Sequence, residues 1–326
     1  MQHATTVEVA SFGEPLIGIY PPGGCSIADD VPLSKTWGGD TSNLALAICK
    51  LGHQSAYISR VGDDGFGQSF LKLWQDAGVN TSQVRVDQEH RTGLYFISYQ
   101  AGKHVFTYYR QNSAACWISS EDIDWEFLRE VKVLHLSGIS QAISQQALAV
   151  SFDLLKFAKA HHILVSYDVN YRPPLWRPDI AKAIVKHTIE EYVDLLEITD
   201  EEMNVFGWGE QPENLCRYLA RVPNLCAVKM GARGSYIRQG TRELRIEPCP
   251  IDVVDTVGAG DAFDAGVIAG MLEEMEFEQL GRFANAVAAF TCRDVGPLRA
   301  QPTKEDMQTF LETPRSSLEG SNQKRF

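Results

Sequence analysis

Two periodicities of apolar and polar positions follow each other along the chain, and their order predicts an α/β fold. Short apolar runs at residues 56–61, 131–136 and 164–168 have the composition of buried strands. Amphipathic helical patterns at residues 66–77 and 144–159 lie between them. A helix between successive buried strands is typical of βαβ units, so we predict a parallel sheet flanked by helices. A first β-prone run lies at residues 6–20, and the runs at residues 195–198, 225–229 and 235–238 are expected to continue the parallel series.

Residues 92–110 depart from this alternation of strands and helices. Residues 92–99 and 104–110 alternate apolar and polar side chains around Gly102 and Lys103, which predicts a β-hairpin. Alternation sends Tyr108 and Arg110 to one face of the second strand and Tyr109 to the other face. A hairpin inside an α/β chain commonly belongs to a lid or subdomain, although an ordinary sheet surface is the alternative for this segment.

Residues 255–271 combine two glycines, an acid and an almost wholly apolar helical run. Gly258 and Gly260 allow the backbone to turn tightly and to approach a ligand closely. The unpaired N–H groups at the start of the following helix favour an anion, and Asp261 stands beside them in the first turn. An anion site with an adjacent base suits phosphoryl transfer to an alcohol. A glycine-rich N-cap on a buried helix remains the alternative.

Four further polar or glycine-rich segments follow predicted strands or open helices: residues 38–43, 168–174, 199–202 and 229–234. Each has a structural alternative: a capped glycine turn, a strand-end turn with a surface Arg172, a solvated helix start, or a plain hairpin turn. The carboxyl ends of parallel strands meet at one sheet edge, where α/β proteins bind ligands. We therefore expect these segments to converge on one site.

Composition narrows the function classes. The 326 residues carry a formal charge of −12, so broad binding to nucleic acid or membrane surfaces is not expected. The seven cysteines form no CxxC pair, and no apolar run has the length of a membrane span, so we expect reduced thiols in the cytoplasm. No P-loop, dinucleotide or HExxH motif is present. We predict one α/β domain over residues 1–313 and a polar tail over residues 314–326.

With these residues in view, the chain resembles the ribokinase (PfkB-type) family of carbohydrate kinases over about residues 8 to 312. The stretch DTVGAGDAF is similar to the family's C-terminal signature, and GGDTSNLALAICKLG with VGDDGFG to its N-terminal one. Within the family it most resembles 2-keto-3-deoxygluconate kinases. The segments that carry this closer similarity are Gly13-Glu14, GGDTSN, Gly93-Leu94-Tyr95, the Tyr-rich strand ending in Arg110, LHLSGIS and DVNYRPPLW.

The resemblance implies a ribokinase-like, Rossmann-type α/β fold with a small β-sheet lid, formed by strands at about residues 15–37 and 92–112. It also implies ATP-dependent phosphotransfer with Mg²⁺. Asp261 would deprotonate the sugar hydroxyl, with an anion hole formed by the amides of Gly258, Ala259 and Gly260. The implied sugar-acid ligands are Gly39, Asp40, Asn43, Tyr95, Tyr108, Arg110, Asn170 and Arg172. The implied nucleotide-site residues are Lys229, Gly231, Gly234 and Asn285.

Two positions depart from the family pattern. Glu202 matches the acid of the family's Asn-x-x-Glu motif, which is linked to magnesium and phosphate, but Thr199 stands where that Asn is usual. Asp264 stands where many relatives have an uncharged residue, and the resemblance assigns it no role.

Three functions are therefore compared. Phosphorylation of a sugar acid, 2-keto-3-deoxygluconate at its 6-hydroxyl, is the first hypothesis, because Arg110 and Arg172 offer a carboxylate two cations. A kinase for a neutral sugar such as fructose is the second. A non-catalytic sugar-sensing protein is the third, and the intact base and anion hole argue against it. A homo-oligomer formed through the lid is a further expectation.

Overall fold

The computed structural model describes residues 6–23, 25–100 and 103–312. Its strands are β1 (Val9–Phe12), β2 (Leu16–Tyr20), β3 (Ser34–Gly38), β4 (Ser55–Gly62), β5 (Val84–Asp87), β6 (Gly93–Gln100), β7 (Lys103–Tyr109), β8 (Val133–Ser137), β9 (Leu164–Asp168), β10 (Leu195–Thr199), β11 (Leu225–Lys229), β12 (Ser235–Gln239) and β13 (Arg242–Ile246). Its α-helices are α1 (Asp40–Lys50), α2 (Gly65–Asp76), α3 (Trp125–Leu128), α4 (Gly138–Ala142), α5 (Gln145–His161), α6 (Pro178–Tyr192), α7 (Asp200–Val205), α8 (Ala259–Leu272), α9 (Phe277–Thr291) and α10 (Lys304–Glu312).

A nine-stranded sheet forms the centre of the molecule, in the order β13-β12-β11-β10-β9-β8-β1-β4-β5. The strands from β11 through β5 run parallel, as the alternation of strand and helix predicts. The expectation that residues 235–238 continue the parallel series is wrong, because β12 runs antiparallel to β11. The link between β11 and β12 is a single 3₁₀ turn at Gly231–Arg233, whereas a parallel crossover needs about a dozen residues or more.

Helices cover both faces of this sheet. Leu44 of α1, Val267 of α8 and Val287 of α9 pack with Val9 and Leu225 of the sheet in one fully buried cluster. On the other face, residues of α5 and α6 join a second core cluster with β8, β9 and β10. Such two-sided burial explains why the strands are almost continuously apolar.

A second, four-stranded sheet lies beside the α/β body, in the order β3-β2-β6-β7, and we refer to it as the small sheet. The predicted hairpin is its β6–β7 pair, with Tyr95 opposite Tyr108; Gly102 of the predicted turn lies outside the described residues. Tyr109 is 64% exposed, whereas Tyr108 borders the central cavity, so the two tyrosines face opposite sides as their alternation predicts.

The predicted polar tail at residues 314–326 lies outside the described residues. Within the described ranges, no helix has both the length and the apolar character needed to cross a membrane.

Candidate active site

The carboxyl ends of the parallel strands open into a cavity of about 1160 Å³. Its walls come from the ends of β9, β10 and β11, from the start of α1, from the start of α8 and from the small sheet. Every residue that the sequence predicts for the site lines this one cavity: Gly39, Asp40, Asn43, Tyr95, Tyr108, Arg110, Asn170, Arg172, Glu202, Lys229, Gly231, Gly234, Gly258, Ala259, Gly260, Asp261 and Asn285. Their individual roles stay predictions.

Helix α8 begins in the cavity without a side-chain cap. Its N-cap is Gly258, whose φ of 82° is left-handed, and a Cβ at this position would lie 2.5 Å from Pro297 Cβ. Only glycine fits that turn. The Ala259 amide donates to Thr256 O at 3.2 Å, so it is occupied within the turn. The predicted anion hole would therefore be centred on the amides that follow it, at Gly260 and Asp261, where the helix dipole also favours negative charge.

Asp261 stands in the first turn of α8 and accepts a hydrogen bond from Asn43 Nδ2 at Oδ2, 2.7 Å away. Its pKa is raised from 3.8 to about 7, first because the carboxyl lies deep in the protein and second because Asp40 is a nearby negative charge. The Asn43 amide acts in the opposite direction and favours the ionised form. A carboxylate that titrates near neutrality can both accept and release a proton, as a general base must.

Asp40 opens α1 and is held by two donors. Ser137 Oγ and Asn170 Nδ2 both donate to Asp40 Oδ2, the amide at 3.0 Å. Asn170 has a φ of 36°, a left-handed conformation that asparagine tolerates better than most residues. Three loops, after β3, β8 and β9, therefore meet at one carboxylate that faces the cavity. Such a carboxylate is suited to accepting hydrogen bonds from ligand hydroxyl groups.

Arg110, at the end of β7, is paired with Glu14 of the turn between β1 and β2. Arg110 Nε donates to Glu14 Oε2 at 2.7 Å, Arg110 Nη2 contacts the same oxygen, and Ser113 Oγ donates to Glu14 Oε1 at 2.5 Å. The Glu14 side chain is fully buried, and burial raises its pKa against the opposing effect of Arg110. The sequence predicts two cations, Arg110 and Arg172, as partners for a ligand carboxylate. In the structure Glu14 already neutralises the charge of Arg110.

Arg172, in the loop after β9, is the other predicted cation. Its Nη1 donates to the carbonyl of Tyr171 at 3.1 Å, and its side chain borders the cavity. Among the ion pairs of the described residues, none includes Arg172. Burial raises the pKa of Asp40 and the charge of Arg172 acts to lower it, but the two side chains form no ion pair, so the guanidinium at the cavity wall is accessible to an anionic ligand.

Two of the residues predicted for the nucleotide site, Gly231 and Gly234, lie in the β11–β12 turn. Gly234 has a φ of 81°, and a Cβ there would lie 2.0 Å from Ile246 O, so the fold itself requires this glycine. Gly231 also has positive φ, 57°, but open space surrounds it, which leaves its backbone free to approach a ligand. Asn285 of α9 donates to the carbonyls of Ile246 and Glu247 and thereby fixes the chain beyond β13.

Lys229 ends β11 and pairs with two buried acids. Its Nζ is 3.0 Å from Asp168 Oδ2 and 3.0 Å from Asp264 Oδ1. Burial acts to lower the pKa of Lys229, but the charges of Asp168, Asp264 and Glu202 outweigh it and raise the pKa. The lysine is therefore a permanently charged group inside an acidic cluster.

Glu202 and Thr199 form the capping box of α7. Glu202 Oε2 accepts from Thr199 N at 2.9 Å, Glu202 Oε1 accepts from Tyr171 N at 2.7 Å, and Thr199 Oγ1 accepts from Glu202 N at 3.1 Å. Thr199 thus has a structural role at the position where the family motif has Asn.

The residues near Glu202 fit a magnesium ion carried on nucleotide phosphates. Asp168 Oδ1 is buried without any hydrogen-bond partner, and Asp168 and Glu202 line the same cavity. Over the described residues there is no cluster of three or more acidic, histidine or cysteine side chains that could hold a metal by itself. Mg²⁺ usually binds one or two carboxylates, water and substrate phosphates, which matches this set.

Sequence reasoning missed Glu14, Ser137 and Asp168 as members of the site. All three lie in segments that carry the family resemblance; Asp168 ends a predicted strand, and Ser137 directly follows one. The position of Asp168 at the end of β9 could have identified it, whereas nothing in the sequence indicates which cation Glu14 would meet.

Comparison with known proteins gives a consistent result. The family model described as "pfkB family carbohydrate kinase" matches residues 20–304. The chain is 34% identical over 318 residues to the probable fructokinase-6 of Arabidopsis thaliana, covering 93% of this chain and 82% of that protein. It is 32% identical over 320 residues to the 2-dehydro-3-deoxygluconokinase of Bacillus subtilis, covering 95% and 97%.

Among solved structures, the fructokinase from Vibrio cholerae, bound to fructose, ADP and calcium, superimposes with a TM-score of 0.84. It is 25% identical in sequence, and the superposition covers 94% of this chain and all of that one. Both substrate types occur among these relatives, so the comparisons establish the family and leave the sugar open. With two signatures, one shared cavity and these relatives, the chain belongs to the PfkB family of carbohydrate kinases.

Proposed function

We propose that this kinase phosphorylates a sugar acid, 2-keto-3-deoxygluconate, at its 6-hydroxyl, with ATP as the donor. The observation that carries the proposal is Arg172, a guanidinium that lines the cavity and has no carboxylate partner in the described structure. A ligand carboxylate would supply that partner, and arginine pairs well with carboxylates because its planar fork can donate two parallel hydrogen bonds. A neutral ketose would leave this guanidinium with only the longer-range attraction of Asp40.

The rest of the site supports the transfer step. Asp40 and Asn170 hold each other in place and can accept from and donate to sugar hydroxyl groups, which orients the acceptor. Asp261, with its pKa of about 7, takes the proton of the attacking hydroxyl. The amides at the start of α8 stabilise the negative charge of the transferring phosphoryl group. Mg²⁺, when bound to the phosphates beside Asp168 and Glu202, neutralises further charge there.

The test is a coupled assay of ADP release from ATP and MgCl₂ with 2-keto-3-deoxygluconate, fructose, ribose and gluconate as acceptors. We expect the highest kcat/KM with 2-keto-3-deoxygluconate, at least about tenfold above fructose, because a matched ion pair commonly contributes 1.4 kcal/mol or more. Phosphorus NMR of the product should place the phosphate on the 6-hydroxyl.

The alternatives give different results in the same assay. A preference for fructose would refute the sugar-acid assignment and support a neutral-sugar kinase. Sugar binding in calorimetry, with no ADP released from ATP in the presence of any acceptor, would support a non-catalytic sugar-sensing protein.

A further inference from the structure

Asp264 is an acid on the buried side of an otherwise apolar helix. Its neighbours in α8 include Phe263, Ala265 and Val267, all buried, and its own side chain is only 1% exposed. Burying a charge is costly unless the charge is paired, so an acid retained here needs a partner. That partner is Lys229, whose Nζ lies 3.0 Å from Asp264 Oδ1 and 3.1 Å from Oδ2.

The pair sits directly behind the anion hole. Asp264 follows Asp261 by three residues, which is close to one helical turn, so both acids lie on neighbouring positions of the same helix face. Lys229 Nζ lies 3.5 Å from the position that a Cβ on Gly260 would occupy. The ammonium is therefore adjacent to the first free amides of α8, and the absence of a side chain at Gly260 leaves the approach to it open.

The ammonium has more donors than its two carboxylates need. A lysine ammonium has three N–H groups. Lys229 Nζ lies 3.0 Å from Asp168 Oδ2 and 3.0 and 3.1 Å from the two oxygens of Asp264, and Lys229 also lines the cavity. When one N–H is shared between the two Asp264 oxygens and a second is donated to Asp168, the third can serve a ligand that reaches the start of α8. The two carboxylates also prevent the long side chain from moving away.

We propose that Asp264 is a positioning residue, which holds the Lys229 ammonium at the start of α8 so that it donates a hydrogen bond to the phosphoryl group during transfer. This inference rests on the proposed placement of the phosphoryl group at the α8 amides. It assigns Lys229 to the reacting phosphate and gives a function to an acid that the family resemblance leaves without one.

A purely structural role is the competing explanation. In that case Asp264 only balances the buried charge of Lys229, and any variant that keeps or removes both charges together would work normally. The two explanations differ for Asp264→Glu, which keeps the carboxyl group but moves it by one methylene group. They differ also for the double variant Lys229→Met/Asp264→Leu, which removes both charges at once.

The experiment measures kcat, both KM values and the unfolding temperature for the wild type, Asp264→Glu, Asp264→Asn, Lys229→Met and the double variant. The acceptor is whichever sugar the wild type phosphorylates best. For Lys229→Met we expect kcat to fall about 10²-fold, the usual cost of losing one donor to a developing anion. Asp264→Glu should lower kcat at least about tenfold with the sugar KM within about twofold, although the protein stays folded.

The double variant should recover the wild-type unfolding temperature but keep the low kcat of Lys229→Met. Asp264→Asn should lower kcat when Lys229 is present. In the Lys229→Met protein, the same change should alter kcat by less than about threefold. Asp87→Asn is the matched control: Asp87 is a buried acid that pairs with Arg60 and does not line the cavity, so kcat should stay within about twofold.

Normal kcat in folded Asp264→Glu, or recovery of kcat in the double variant, would overturn the proposal while the kinase assignment stands. An equal loss from Asp264→Asn in both lysine backgrounds would also overturn it, because Asp264 would then act independently of Lys229. A wild type that releases no ADP with any acceptor would refute this proposal and the proposed function together.

Discussion

The side-chain amide of Asn43 donates a 2.7 Å hydrogen bond to the carboxylate of Asp261, although 218 residues separate the two positions in the chain. Asn43 stands in the first turn of α1 and Asp261 in the first turn of α8. The contact joins the two signature segments and brings two helix N-termini to the same point of the cavity. Asp261, the proposed base, is thereby oriented by a residue that also lines the cavity.

The pH dependence of activity follows from the neighbours of Asp261. The base must be ionised to accept a proton, so kcat/KM should rise with pH, with a midpoint of about 7 in the wild type. The negative charge of Asp40 contributes to this raised pKa. Asp40→Asn removes that charge, so the midpoint should move to lower pH even though sugar binding weakens. A pH profile of kcat/KM for both proteins checks this; an unchanged or higher midpoint would contradict the electrostatic account.

The proposed recognition of the substrate carboxylate by Arg172 is tested by Arg172→Ala. We expect the KM for 2-keto-3-deoxygluconate to rise at least about tenfold, because the ligand carboxylate loses its cation, with the KM for ATP little changed. Activity on fructose should fall far less. The control is Arg177→Ala, five positions further along the same segment, where Arg177 is 79% exposed and paired only with Asp179. Equal losses on the acidic and the neutral sugar would remove Arg172 from carboxylate recognition.

The link between the small sheet and the body is tested by Glu14→Gln. This change leaves the Arg110 guanidinium, which is 11% exposed, without its counter-ion, and breaking a pair with one fully buried partner costs up to about 3–5 kcal/mol. Hydrogen exchange in β6 and β7 should therefore accelerate more than exchange in β1 and β8.

Glu213→Gln is the comparison for that measurement, since it breaks the half-exposed pair with Arg245, where the expected loss is below about 1 kcal/mol. In the wild type, sugar binding should slow exchange in β6 and β7 if the small sheet acts as a lid. Exchange that is identical with and without sugar would identify it as fixed scaffold.

Stability should show the opposite trend to activity in Asp261→Asn. The folded-state pKa of Asp261 is raised from 3.8 to about 7, so the protonated carboxyl stabilises the fold below pH 3.8 and this contribution is lost as the pH rises through 7. The loss is at most about 4 kcal/mol. The asparagine variant should unfold at a higher temperature than the wild type at pH 8, and the difference should narrow towards pH 5. A lower unfolding temperature at pH 8 would contradict the raised pKa.

Much of the fold was predictable because it depends on local periodicity. Alternation correctly separated Tyr108 from Tyr109, and the strand-end rule correctly brought the loops after β9, β10 and β11 to one cavity. The direction of β12 could also be inferred from loop length, since five residues between β11 and β12 cannot form a crossover. These features need only information from a few neighbouring residues.

The charge pairing of the site was not predictable in the same way. Glu14 meets Arg110 across 96 positions, and Lys229 meets Asp264 across 35, so each partner depends on how separate elements pack. From the sequence alone, Asp264 is an acid among apolar helix residues with no evident partner. The structure shows that Lys229 is that partner. Such pairs decide which cations remain open to a ligand, and here they leave Arg172 open.

The most direct test of the account is the turnover of Asp261→Asn with ATP, MgCl₂ and the best acceptor sugar, measured beside calorimetric binding of both ligands. The amide is nearly isosteric with the carboxyl group and keeps the contact with Asn43 possible, so both dissociation constants should stay within about threefold of the wild type. The value of kcat should fall at least about 10²-fold, the usual cost of losing a general base. Near-normal turnover in a variant that binds both ligands would show that Asp261 is not the base.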